Sequence, residues 1–195
     1  MFSPTVLFLE TLCAHAILQH SQAGSNIRGE MDAENTHQVF DWLWSSGQLS
    51  AQDILSLRSL GVEVVVNLAL PTSSNALAGE AELVTRQGMA YVQIPVEWEN
   101  PMPEQFAQFV GTLNTFRDRK VWVHCAKNMR VSAFIYLYRR IVLGEAEGQA
   151  TFPIREVWSP NEIWQAFIER VLEKHSNHSE NSEHNTPSPS GRRLG

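Results

Sequence analysis

Only two of the 195 residues are cysteine, Cys13 and Cys125, and they lie far apart, so neither a disulfide framework nor a CxxC metal site is written into the chain. A reducing, cytoplasmic location fits that composition best. Basic excess is also lacking: 15 Lys and Arg against 21 Asp and Glu leave a net charge of -6. That balance argues against a general affinity for nucleic acid or anionic membrane, and any phosphate recognition must come from a local pocket. The chain has no apolar run long enough to span a bilayer. Its most apolar stretch, Pro4 to Leu18, contains Glu10 and His15 and has no Lys or Arg before it, although Ala14 and Ala16 imitate a signal-peptide cleavage site. Residues 1–25 read as an apolar N-terminal extension.

From His175 onward the residues are Ser, Asn, His, Glu and Pro with almost nothing to bury, so 175–195 is expected to be a disordered polar tail. His175, His178 and His184 have neither cysteines nor regular helical spacing with them, and they are not read as a metal site. Gly24 to Asn35 is polar and reads as a linker. With 43% hydrophobic residues the remainder can bury one substantial core, which points to a single domain over 26–174.

Within that domain, helix and strand patterns alternate. Val39 to Trp44 reads as a short strand leading into a turn at Ser45-Ser46-Gly47-Gln48. Ser50 with Asp53 forms a capping-box start for a helix whose apolar face is Ile54, Leu57 and Leu60, with Gly61 at its end. Val62 to Leu70 is a near-continuous apolar run, as in a strand buried on both faces, and Pro71 stops it. A helix over Leu77 to Gln87 and a strand over Ala90 to Ile94 follow. Phe106, Phe109, Val110, Leu113 and Phe116 then recur at helical spacing after Pro103, and Val121 to Val123 is the next strand. Val131 to Leu143 has the composition of a buried helix, and Ser159-Pro160 opens a last one in which Trp164, like Trp158 before it, reads as a core anchor. The alternation predicts an α/β fold with a mainly parallel central sheet flanked by helices, whose site lies at the carboxyl ends of the strands.

Cys125 falls at such an end. The run Val121-Trp122-Val123-His124-Cys125-Ala126-Lys127-Asn128-Met129-Arg130-Val131-Ser132 carries a strand into a short loop and then a helix. A helix N-terminus offers unpaired N–H groups and the positive end of its dipole, which suit an anion and acidify a thiol. Cys125 is therefore a candidate nucleophile, against the plainer alternative of a small buried apolar residue.

The Val123-His124-Cys125 start, with an arginine and a serine at the mouth of an apolar helix, resembles the signature of the protein tyrosine and dual-specificity phosphatase superfamily. Ser46-Gly47-Gln48, Val64 to Leu68, Gly88 to Val96 and Trp158 to Trp164 extend the resemblance to a bacterial tyrosine-phosphatase-like branch, over about Asn26 to Lys174. It implies a dual-specificity-phosphatase-like three-layer fold. It also implies phosphomonoester hydrolysis through a cysteinyl-phosphate, on a phosphorylated protein or small molecule, with no metal or other cofactor. Cys125 is then the nucleophile. Ala126, Lys127, Asn128, Met129 and Arg130 form the phosphate-binding loop, His124 orients that loop, and Ser132 hydrogen-bonds the departing thiolate.

Two departures from the family pattern stand out. Four residues separate Cys125 from Arg130, where the family has five, although Ser132 keeps the family spacing. One residue is about 100° of helix rotation, so Arg130 is expected to turn away from the phosphate unless the loop is rebuilt tighter. The loop also lacks the usual glycine, leaving Asn128 to supply any left-handed residue. Secondly, Trp98 stands where the family often has its general-acid aspartate, so that role falls to Glu97 or Glu99, unless both are solvated loop carboxylates. Besides an active phosphatase, the pattern admits a pseudophosphatase that binds phosphate or a partner protein without turnover. It also admits a rhodanese-like sulfurtransferase, whose cysteine loop has the length of Cys125 to Arg130.

Overall fold

The computed structural model describes residues 31–183. Five strands form one sheet in the order β1-β2-β5-β3-β4. They are β1 (His37–Phe40), β2 (Leu43–Ser46), β3 (Val64–Asn67), β4 (Ala90–Gln93) and β5 (Val121–His124). β1 pairs antiparallel with β2, and every other pairing is parallel. The helices are α1 (Ala51–Leu57), α2 (Glu80–Arg86), α3 (Pro103–Thr115), α4 (Met129–Ile141), α5 (Glu147–Ala150), α6 (Ile154–Val157) and α7 (Glu162–Glu183). No helix among the described residues is long and apolar enough to cross a membrane.

The period-two alternation of the strands sorts the core into two layers. Val64, Val66, Val121 and Val123 face α3, α4 and α7, where Phe106, Phe109, Phe134, Trp164 and Phe167 gather. Val65 and Trp122 face the other way, onto Ile54 and Leu57 of α1 and Val84 of α2. Trp122 stacks on Trp44, with ring centres 5.4 Å apart and planes 3° from parallel. The three-layer α/β architecture expected from the sequence is therefore present. Asp53 holds the start of α1: its carboxylate accepts the Ser50 N–H at 2.8 Å while Ser50 Oγ accepts its own N–H at 3.1 Å.

Four expectations are corrected. Val39 to Trp44 is a hairpin rather than one strand, and the presumed turn residues Ser45 and Ser46 complete β2. Both serines are buried because their hydroxyls meet polar partners there, Asn128 Nδ2 at Ser45 and Trp122 Nε1 at Ser46. The polar stretch read as a linker packs onto the domain at its end, where Ala33 is buried and Met31 lies against the α1 layer. Two short helices, α5 and α6, fill the segment after α4. Finally, α7 continues to Glu183, past the point where the tail was expected to lose structure, since extending a formed helix costs little per residue. Cys13, His184 and the N-terminal extension to residue 25 lie outside the described residues.

Phe134 of α4 is fully buried and its ring sits 5.6 Å from those of both Phe109 and Phe167. Phe134→Ala is expected to cost about 3–5 kcal/mol in a urea unfolding curve, a large share of the about 5–15 kcal/mol that holds a domain of this size.

Candidate functional site

β5 lies between β2 and β3 with parallel neighbours on both sides, so the chain leaves it at the sheet's carboxyl edge. Cys125 is the first residue beyond it. Its N–H donates to Ser46 O at 3.3 Å, and its side chain has no exposed surface. The cysteine forms the floor of a cavity of about 300 Å³ whose other walls include Asn75, Trp98, Ala126, Lys127 and Arg130. Among the described residues, no group of three or more His, Cys, Asp or Glu side chains is placed to hold a metal ion.

The loop between Cys125 and α4 is held from outside by its carbonyls. Gln48 N–H and Asn75 Nδ2 donate to Ala126 O at 3.2 and 3.0 Å, and Asn35 Nδ2 donates to Lys127 O at 3.1 Å. In a planar trans peptide the next N–H points opposite to the C=O. Drawing Ala126 O outward therefore turns the amide of Lys127 to the inner side of the loop. Gly47 makes room for this clasp: a Cβ there would stand 3.1 Å from Glu34 O and 3.2 Å from Ala126 O.

Asn128 closes the loop in the left-handed conformation expected of it, with φ 65°. Its Nδ2 donates to Asn35 O at 2.7 Å and to Ser45 Oγ at 3.0 Å, which fixes the turn. This tighter closure answers the missing residue. Arg130 lines the same cavity as Cys125 instead of turning away. Its guanidinium carbon lies 5.4 Å from the centre of the Trp98 ring, a cation–π contact, and its buried Nε has no hydrogen-bond partner. An unpartnered guanidinium N–H at a cavity wall is a standing demand for an anion.

Trp98 itself is clamped. Its ring centre is 5.2 Å from that of Trp158 and 5.3 Å from that of Trp164, and its carbonyl accepts the Trp164 indole N–H at 3.1 Å. With Trp98 turned in, its neighbours Glu97 and Glu99 are exposed, and neither is among the residues that line the cavity. In this arrangement neither carboxylate reaches the cavity where the general-acid reading places one of them. Ser132 is buried in the first turns of α4, but its hydroxyl donates to Met129 O at 3.0 Å and accepts from Trp158 Nε1 at 3.2 Å instead of reaching for the thiol. Lys127 stands exposed at the rim.

His124 is fully buried, and its Nε2 lies 3.3 Å from Oε1 of Glu80, itself a buried residue. Burial pushes the imidazole below its usual range, and the Glu80 charge offsets part of that. Glu80, Asn35 and Asn75 escaped the sequence reading because each reads as an ordinary polar residue of a loop or a helix start. One signal was present. Asn67 closes the valine run of β3, and a polar residue in a strand buried on both faces must find partners, which here are Glu80 and Tyr91.

Replacing Asn128 tests the closure. Asn128→Gly keeps the left-handed residue and loses two hydrogen bonds, whereas Asn128→Ala loses both features and is expected to be less stable by about a further 1 kcal/mol in denaturant unfolding.

The comparisons with known proteins agree with this geometry. The family model described as DSP-PTPase phosphatase fused to NAD+ kinase matches residues 14–183. A DUF442 protein from Shewanella putrefaciens CN-32, solved at 1.40 Å, is 35% identical, with a TM-score of 0.66 over 74% of this chain and 95% of its own. TpbA of P. aeruginosa shares the fold at 18% identity, TM-score 0.59, over 75% of this chain and 91% of its own. PTPMT1 does so at 12% identity, TM-score 0.63, over 74% of this chain and 98% of its own. Among curated proteins none matches the sequence. A cysteine loop at the end of a central parallel strand, an arginine turned into the same cavity and a family model covering most of the chain lead to one conclusion: the chain belongs to the DSP-PTPase family, within the cysteine-dependent tyrosine and dual-specificity phosphatase superfamily.

Proposed function

We propose that the chain hydrolyses phosphomonoesters through Cys125. The observation that carries this reading is Arg130, whose buried Nε is unpartnered at the wall of the cavity floored by Cys125, beside the N-terminus of α4. A phosphoryl group seated there receives the guanidinium, the inward amide of Lys127 and the helix dipole. The Cys125 thiolate attacks phosphorus, the ester P–O bond breaks, and the leaving oxygen takes its proton from solvent. Water then attacks the cysteinyl-phosphate, so the S–P bond breaks, inorganic phosphate leaves and the thiolate is restored.

Among the described residues lining the cavity there is no carboxylate to protonate the leaving oxygen. The substrate class follows from that. A phenolate leaves without help far more readily than an alkoxide, so an aryl phosphate such as phosphotyrosine suits the site better than an alkyl one. Of the structural relatives, a TpbA variant was solved with phosphotyrosine and PTPMT1 with PI(5)P. The wall formed by Trp98 favours the aromatic ligand.

Two observations keep other readings in view. The outward-facing Glu97 and Glu99 favour a pseudophosphatase that binds phosphate without turnover. The four-residue spacing favours a persulfide-carrying sulfurtransferase. Reduced, metal-free protein is expected to hydrolyse an aryl phosphate, to act on an alkyl phosphate about 10²-fold or more slowly for want of an acid, and to fall to background in Cys125→Ser and Arg130→Ala. A folded wild type no faster than Cys125→Ser from pH 5 to 8 would falsify the hydrolase reading. Phosphate binding without turnover then identifies the pseudophosphatase, and sulfur transfer from thiosulfate to cyanide the sulfurtransferase.

A further inference from the structure

Glu80, in the first turn of α2, is 6% exposed, yet three donors converge on its carboxylate and an imidazole nitrogen stands beside it. Gln48 Nε2 donates to Oε1 at 2.6 Å, and Asn67 Nδ2 at 2.7 Å and the Tyr91 hydroxyl at 2.9 Å donate to Oε2, while His124 Nε2 lies 3.3 Å from Oε1 without the alignment of a hydrogen bond. Tyr91 has a second acceptor in Gln93 Oε1 at 2.7 Å, and its single proton serves one of the two at a time. An ionised carboxylate offers about four lone-pair sites and no proton, so it satisfies this set, whereas an amide or a protonated acid sets donor against donor. The carboxylate also constrains the ring. At 3.3 Å from a carboxylate oxygen a bare Nε2 lone pair is repelled, which favours the proton on Nε2 although the contact is not aligned as a hydrogen bond.

We propose that Glu80 is a positioning residue for Cys125: its buried carboxylate, 3.3 Å from His124 Nε2, sets the tautomer and orientation of the ring on which the cysteine loop is built. His124 is the last residue of β5 and precedes the cysteine directly, so a turn of its ring displaces the loop at its root. The anchor is rigid because its other partners are drawn from three places, Gln48 beyond β2, Asn67 of β3 and Tyr91 of β4. The titratable neighbours support the same protonation states. Burial and the Glu80 charge hold the Tyr91 hydroxyl protonated, and desolvation holds His124 neutral. On the cavity side, Cys125 shares its surroundings with Lys127 and Arg130.

This inference rests on Cys125 working as a thiolate, as in the proposed hydrolysis, but not on turnover. Alkylation of the Cys125 peptide by iodoacetamide, followed by mass spectrometry across pH in the full reduced chain, reads the thiol alone. Coulomb's law by itself says that Glu80→Gln, which removes a negative charge, lowers the thiol's apparent pKa. Loss of positioning instead raises it, by about one unit. The expected result is a rise in Glu80→Gln, and no further rise when the same change is added to His124→Asn. A midpoint that falls or stays put, or effects of the two changes that simply add, overturns the proposal. Should Glu80→Gln not fold, ring ¹⁵N resonances of the wild type decide. A neutral ring protonated on Nε2 at pH 7 is expected, and a ring protonated on Nδ1, or on both nitrogens, overturns it.

Discussion

Parallel pairing on both sides of β5 is the constraint from which the rest of the molecule follows. Leu43, Val121 and Val64 lie in register across three strands, and so do Ser46, His124 and Asn67 at the far end. The rank of residues next to the cysteine therefore sits inside the sheet. There, most polar groups find one another, and the His124 nitrogens stand beside Glu80 without a hydrogen bond. Ser46 takes the Trp122 indole, Asn67 reaches Glu80, and Glu80 meets His124. The apolar part of the sheet and the polar rank at its edge are one design, with valines closing the core up to the polar residues beside Cys125.

Beyond that edge, two independent restraints shape the site. One is a set of hydrogen bonds from outside: Gln48 N–H and the Asn75 and Asn35 side-chain amides grip the loop by the carbonyls of Ala126 and Lys127. The other is aromatic: Trp158 and Trp164 hold Trp98, and Trp98 holds Arg130. The arginine is thus ordered before any anion arrives, and the contact that orders it, about 0.5–2 kcal/mol, is weaker than a bidentate charge-assisted pair with an oxyanion. Pre-ordering of this kind lowers the entropic cost of binding while leaving the guanidinium free to exchange partners.

Most of the fold was legible because its elements are strongly patterned. The valine-rich strands, the aromatic spacing of α3 and the buried run of α4 each carry a period that one sequence suffices to show. Cys125 at the strand end and the left-handed Asn128 were legible too, whereas Arg130 was expected to turn away unless the loop closed more tightly, as it does. Glu97, Glu99 and Ser132 were placed by resemblance, and in the structure the glutamates lie outside the cavity lining while the serine hydroxyl bonds Met129 and Trp158. Trp98 faces inward and turns both glutamates out, and Trp158 claims the serine hydroxyl. Glu80 was invisible for a different reason. Its importance comes from donors supplied by Gln48, Asn67 and Tyr91 and from the nearby His124 ring, which no local pattern unites.

The tryptophan cluster has a further consequence, an optical one. Three of the chain's six tryptophans, Trp98, Trp158 and Trp164, lie within 6.0 Å of one another by ring centre, and a guanidinium rests on one of them. Indole emission responds to nearby charge, and rings this close exchange excitation. An oxyanion that draws Arg130 toward Cys125 changes the field at Trp98 and, through it, the emission of the whole group. The protein thus carries at the wall of its own cavity a chromophore that reports whether the cavity is filled.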